Sequence, residues 1–430
     1  MKICSKNDIK LVTGIMAASM LLGGCSVNTK TQLKADPEVK TEINLSKVSD
    51  TEYDKDLMDE LYRDYCFNLF GQTVKNYGAD TNVMISPASV MMALDMVAAG
   101  SKEESLKQLT DLFAAGQGPL TQQAYAAALM DKINGAKDVD FSCANAVWSN
   151  KQLLGDKVNL EYIDYIQKTF SAEYTVANFN DKTVNEINKW VDKHTNHMID
   201  KAIDQLDPAT VMVLVNAIAF EGEWETPYED FQVKDGDFRK AAGGTQNVKF
   251  LNGYESNYYE TEKASGFMKS YKGGKYAFLT ILPKEENINA NEFAKSFTAE
   301  DYEKFIKSVS YDYDVTTKIP EFKSDFNTLL NDILEDMGCR NIFHTETSDL
   351  SGIAGNKGDL FVSKVIHKTH IEVDAKGTKA SAVTIVAVDG ASAMPVEREC
   401  REVICDRPFV YAIIDTETMA PVFIGTVNEI

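Results

Sequence analysis

Between Asp374 and Pro395 the chain reads DAKGTKASAVTIVAVDGASAMP, and the pattern is two-sided. From Thr378 every second residue is Thr378, Ala380, Ala382, Thr384, Val386 and Val388, compact and uncharged. The alternate set is Lys379, Ser381, Val383, Ile385, Ala387 and Asp389, with a charge at each end. Such alternation has the makings of a strand with one face over a core and the other toward water. Taken by itself, the window reads most plainly as a surface hairpin strand with a flexible start. Elsewhere the periodicity is mixed. Leu57, Leu61, Tyr65 and Leu69 recur at four-residue spacing and predict an amphipathic helix. Pro87 predicts the first turn of another, with Ser86 placed to cap it. The almost wholly apolar run Val211 to Phe220 predicts a strand buried on both faces. Phe278 to Leu282 predicts a further strand, closed by Pro283, and Phe409 to Asp415 with Val422 to Val427 predicts a hairpin.

The N-terminus carries a different pattern. Lys2, Lys6 and Lys10 precede the apolar run Leu11 to Leu22, too short to span a bilayer as a stable helix. It ends in Leu22-Gly23-Gly24-Cys25, which resembles the bacterial lipoprotein signal; the plainer alternative is an ordinary secretory peptide. The resemblance implies a leader over 1–24 and a diacylated Cys25 as the mature N-terminus. Acyl chains contribute about 0.8 kcal/mol per buried methylene, enough with two or three chains for stable anchoring. Residues 25–51 are polar and read as a flexible tether spanning on the order of 25 to 30 Å. From 52 to 430 there is no linker, repeat or low-complexity break, although about 375 residues exceed the usual domain size and would by themselves suggest two domains.

Composition then excludes several functions. With 65 acidic and 44 basic residues the net charge is −21, which disfavours nucleic acid and anionic polysaccharide as partners. Beyond Cys4 and Cys25 the cysteines are Cys66, Cys143, Cys339, Cys400 and Cys405, an odd number and no disulfide framework. Cys400 and Cys405 could close a small loop or remain thiols. His194 and His197 stand three apart in a helical stretch, but no acidic helper with zinc spacing accompanies them, and a solvated helix face accounts for them. No strand-turn-helix elbow surrounds a serine and no phosphate-cradling glycine loop appears. The chain is therefore not expected to be an enzyme, and no cofactor or metal is expected.

Five blocks carry a family signature: NVMISPASVMMALDMVAAGSKEES from Asn82, LVNAIAFEGEWETPY from Leu214, DLSGI from Asp349, SKVIHKTHIEVDAKGT from Ser363 and RPFVYAIIDTETMAPVFIGTV from Arg407. In this order and spacing they closely resemble the serpin family over residues 52 to 430. The resemblance implies an α+β fold in one domain, with a large central mixed sheet, two smaller sheets, eight or nine helices and an exposed reactive-centre loop over about 375–406. It also implies a function, irreversible inhibition of extracellular serine proteases by a monomer, which the Cys25 signal would anchor at the bacterial surface. The protease attacks the loop, and the cleaved arm inserts into the central sheet before the acyl-enzyme can hydrolyse. An arm of about 14 residues at roughly 3.3 Å each travels some 45 Å.

The resemblance assigns residues. Gly377 is the hinge, and Thr378, Ala380, Ser381 and Ala382 present little bulk to the sheet. Ala391-Ser392 is the scissile bond, with Met394 as second choice, because the stretch from Ser392 to Pro408 is longer than usual. A small residue at Ala391 suits elastase-like proteases. His367 is expected beneath the central sheet with Asn216, Ser86 and Ser89, and Asn188 nearby, as a buried polar cluster governing sheet opening. Trp224 matches a tryptophan at the top of that sheet. Departures are Ala375 where a glutamate is usual, Lys379, and Val383 in place of an alanine. Two alternatives stay open: inhibition of papain-like cysteine proteases, and a binding protein that kept the fold without the transition.

Overall fold

A computed structural model describes residues 42–154, 157–198, 200–207, 210–378 and 398–430. Among these residues are nine α-helices, three 3-10 helices and three sheets. The central sheet positions everything that follows. Its strands in chain order are β1 (Asp140–Asn150), β2 (Glu173–Ala177), β3 (Met212–Glu223), β4 (Phe322–Leu329), β5 (Val365–Val373) and β6 (Gly377–Thr378). In space they run β4-β5-β6-β3-β1-β2.

β3 reads MVLVNAIAFEGE because both its faces are covered. Met212, Leu214, Ile218 and Phe220 join the main core, while Val213 and Val215 join a smaller cluster on the opposite side. That cluster is roofed by helix Asp181–His194, through Val184, Ile187 and Val191.

Two other helices matter. Lys55–Val74 is capped by the Asp54 side chain, and its buried stripe is Met58, Tyr62, Tyr65, Cys66, Leu69 and Phe70. The expected positions Leu57 and Leu61 sit only at the edge of that stripe. Pro87–Ala99 is buried along its whole length, as a helix apolar on every side must be. Its N-cap is Ser86, whose side chain accepts from the Ser89 N–H.

A seven-stranded sheet holds the hairpin Phe409–Asp415 and Pro421–Val427, together with Tyr276–Pro283. A four-stranded sheet runs Glu399–Ile404, Tyr313–Pro320, Thr245–Glu255, Val233–Arg239.

Three expectations need correction, and one left open is decided. The C-terminal end of the stretch expected to be a tether, 25–51, is docked on the domain. Leu45–Asp50 is a 3-10 helix with Val48 buried, and Ile43 and Leu45 pack on the same core, so three spaced apolar residues suffice to dock this stretch. The loop expected over 375–406 is shorter, because Glu399–Ile404 forms six parallel rungs with Tyr313–Lys318. The same strand separates Cys400 from Cys405: five residues of extended chain span about 16 Å, far beyond disulfide reach. Both are free thiols, Cys400 exposed and Cys405 buried. Finally, His197 lies past the end of helix Asp181–His194 at φ 61°, so it does not share a helical face with His194. Each histidine has its own partner: His194 Nδ1 meets the Trp190 carbonyl at 2.7 Å, and His197 Nδ1 meets Asp192 at 2.9 Å.

Candidate functional site

The site is the seam between β3 and β5. These two strands run parallel and pair directly over four rungs, Val365–Leu214, Ile366–Val215, His367–Asn216 and Lys368–Ala217. Further along they diverge. The gap at the far end is filled by β6, where Thr378 lies opposite Val373 on one side and Gly222 on the other, antiparallel to both.

A tight turn delivers β6 into that gap. Asp374 Oδ1 accepts from the N–H groups of Lys376 (2.7 Å) and Gly377 (3.1 Å), and the Asp374 N–H donates to the Gly377 carbonyl. Trp224 holds the turn from outside: its indole N–H donates to the Asp374 carbonyl at 2.9 Å and its backbone N–H to that of Lys376. The Tyr228 N–H donates to the Ala375 carbonyl at 2.8 Å. Inside, the Tyr271 and Thr378 hydroxyls share a hydrogen bond of 2.6 Å, and the Tyr271 ring stacks on Trp224 at 4.6 Å. Gly377 must be glycine here because of close approach. A Cβ at that position would lie 2.1 Å from the Gly222 carbonyl oxygen.

The closed end of the seam is polar. His367 is wholly buried, and its Nε2 accepts from the Ser86 N–H at 3.0 Å. That role requires the neutral ring with its proton on Nδ1. Burial fits this, pushing the His367 pKa down to about 3. Ser86 Oγ donates to the Val422 carbonyl at 2.8 Å, tying the helix cap to the seven-stranded sheet. On the next strand Asn216 donates to Asn145 Oδ1 at 2.6 Å, and Asn145 donates to the Phe170 carbonyl at 3.0 Å. Ser89 Oγ and Asn216 Oδ1 are buried without a hydrogen-bond partner among the described residues.

A protein-family model described as Serpin (serine protease inhibitor) matches residues 60–430. The chain is a serpin. The thermophilic serpin Tengpin in its native state has a TM-score of 0.79 at 34% identity, covering 88% of this chain and 96% of its own. Tengpin in its latent state gives 0.74 at 33% identity, covering 88% and 98%. Iripin-5 of Ixodes ricinus is 33% identical over 82% of this chain and 90% of its own. Leukocyte elastase inhibitor A of Mus musculus is 28% identical, covering 84% and 97%.

Within this serpin, His367, Ser86, Ser89 and Asn216 lie together at the closed end of the seam. Asn188 does not join them. Its side chain accepts from the Ala202 (2.7 Å) and Ile203 (2.9 Å) N–H groups and donates to the Ile203 carbonyl, bracing the segment that follows its helix. Its position along the helix puts it beside that segment. Trp224 stands at the open end with Gly377 and Thr378. Ala380, Ser381, Ala382, Ala391, Ser392 and Met394 lie outside the described residues, as does Cys25. Sequence reasoning missed Asn145 and Tyr271. Asn145 could have been flagged as an amide in a strand whose neighbours are apolar; the KSYKGGKY turn around Tyr271 offered no signal.

Proposed function

We propose that this serpin traps serine proteases by inserting its cleaved loop between β3 and β5. The observation that carries the reading is the seat of β6, which already pairs antiparallel with both strands. Continuing its register two residues at a time sets Ala380 opposite Ile371 and Phe220, and Ala382 opposite Thr369 and Ile218. Thr384 then falls between His367 and Asn216, and Val386 between Val365 and Leu214. The four direct rungs of the seam are the ones such a strand would replace. Each residue would gain backbone partners on both sides, and favourable pairing of that kind supplies the drive.

The side chains suit this path. Thr378 is buried on the core face, so alternation sends Ala380, Ala382, Thr384 and Val386 to the same face. Phe220, Ile371 and Ile218 already fill that space, and small residues are what fit beside them. A protease that cuts the loop becomes acylated through its own serine. It is then carried with the arm before water can release it.

Ala391-Ser392 is the bond we assign to attack, and its small residue favours elastase-like proteases with shallow pockets. The resemblance to a leukocyte elastase inhibitor supports that choice. A Cys25 lipid would hold the molecule outside the cytoplasm at the bacterial surface. The test is a denaturing gel after mixing with pancreatic elastase. A band at the combined mass, with the peptide from Ser392 onward released, is expected; quantitative loop cleavage with no such band would overturn the reading.

A further inference from the structure

On the face of the sheet away from the main core, β4 and β5 present three directly opposed pairs: Lys323–Glu372, Asp325–His370 and Asn327–Lys368. Two of the three rungs are internally matched. Lys323 Nζ lies 3.4 Å from Glu372, and His370 Nδ1 lies 2.6 Å from Asp325. The third sets an ammonium against a neutral amide. Lys368 makes no ion pair with a carboxylate among the described residues, and the Asn327 side chain makes no hydrogen bond there. Among the described residues, Lys368 Nζ donates to the Lys201 carbonyl. Lys368 is half-buried, and desolvation, with the Lys201 charge, lowers its pKa more than Asp200, Asp204 and Asp325 raise it. All of these residues except Asp204 line an open cleft of about 460 Å³.

The cleft also crosses the seam. Lys368, Asn327 and His370 belong to the β4–β5 side. The Lys201 segment belongs to the β3 side: Asn188 fastens Ala202 and Ile203 to the helix over β3, and both pack with Val213 and Val215. Lys368 itself reaches across the seam, since its Nζ donates to the Lys201 carbonyl, so an anion that fixes the Lys368 side chain fixes a contact that must break when β5 moves away from β3.

We propose that this cleft binds a small oxyanion, a carboxylate or phosphate, at the unmatched rung between Asn327 and Lys368, and that the bound anion holds the seam shut. Lys368 supplies the charge and the Asn327 amide a neutral donor, so the ligand takes the place that Glu372 and Asp325 hold on the neighbouring rungs. The second half of this inference rests on the insertion reading above; the first half does not.

The experiment uses inorganic phosphate on the whole protein, with sodium chloride matched for ionic strength. Phosphate is expected to raise the unfolding midpoint by a few degrees beyond the chloride control, and the rise should vanish in Lys368→Gln. Asn327→Asp places a fixed carboxylate on the same rung. It should raise the midpoint without phosphate and abolish the response to it, which guards against a Lys368→Gln protein that merely folds poorly. An equal midpoint in phosphate and chloride, or a phosphate response retained in both variants, would overturn the site. In the gel assay phosphate should lower the fraction of protease trapped several-fold and leave Asn327→Asp unchanged. A phosphate-dependent midpoint with an unaltered trapped fraction overturns the seam-holding role alone. A midpoint response in a protein that traps no protease at any phosphate level overturns the insertion reading and leaves the anion site standing.

Discussion

The two ends of the β3–β5 seam are built on opposite principles. At the closed end, four parallel rungs are backed by buried polar groups: His367 on the Ser86 N–H, Asn216 on Asn145. At the open end the strands are apart, and aromatic stacking of Trp224 on Tyr271 cradles a two-residue strand. The polar end needs its partners in place, since a buried donor or acceptor left alone costs about 1–3 kcal/mol. The aromatic end is hydrogen-bonded too, from Trp224 to the Asp374 and Lys376 carbonyls and between the Tyr271 and Thr378 hydroxyls, but those bonds grip the turn and β6 and do not join β3 to β5 directly. One pair of strands is thus latched directly together at one end and joined at the other only through a third segment seated between them.

The largest effect is expected from disturbing the guest strand itself. Thr378→Arg puts a charge at a residue that is only 1% exposed. The trapped fraction on a denaturing gel should fall to near zero while loop cleavage persists; a variant that traps normally would detach β6 from the mechanism.

Next comes the latch. His367→Ala leaves the Ser86 N–H without its acceptor and opens a cavity. A loss of about 2–4 kcal/mol is expected, read as a lower midpoint by calorimetry. The same ring sets a pH dependence. Its folded pKa of about 3 lies below the ordinary 6.5, so between those values the unfolded chain binds a proton that the native state refuses. Stability should therefore fall as pH drops from about 6.5 toward 3, and His367→Gln should show a shallower slope over that window in chemical-denaturation titrations.

The smallest effect should come from Tyr271→Phe, which removes only the hydroxyl that meets Thr378. About 1 kcal/mol is expected, seen as faster hydrogen exchange at the Thr378 amide with little change at His367. Equal acceleration at both ends would mean the seam moves as one piece.

How much of this could be read from the chain depended on whether the cause was local. The Ser86 cap and Pro87 start, the apolar run of β3 and the closing hairpin are written in neighbouring residues, and they form as the pattern predicts. The docking of Leu45–Asp50 was not legible, because Ile43, Leu45 and Val48 have no periodicity and gain meaning only from the surface they meet. Asn188 was misplaced for a related reason: its helix was right, but which side of the sheet the helix covers is a tertiary fact. Of the cluster around His367, the residues could be named by likeness, while the bond from His367 Nε2 to a backbone N–H could not.

The chain that follows the loop has a role of its own. Beyond residue 398 it contributes Glu399–Ile404, Phe409–Asp415 and Pro421–Val427, each bonded to neighbours from the upstream part, and the last two almost wholly buried. A cut anywhere between 379 and 397 would sever the covalent backbone and leave every one of those attachments intact. The short C-terminal fragment could not drift off, since its departure would tear out the middle of a second sheet. Nicking would therefore leave the C-terminal side as a fixed abutment, and under the proposed mechanism whatever is fastened to the other end would shift against a body that stays whole.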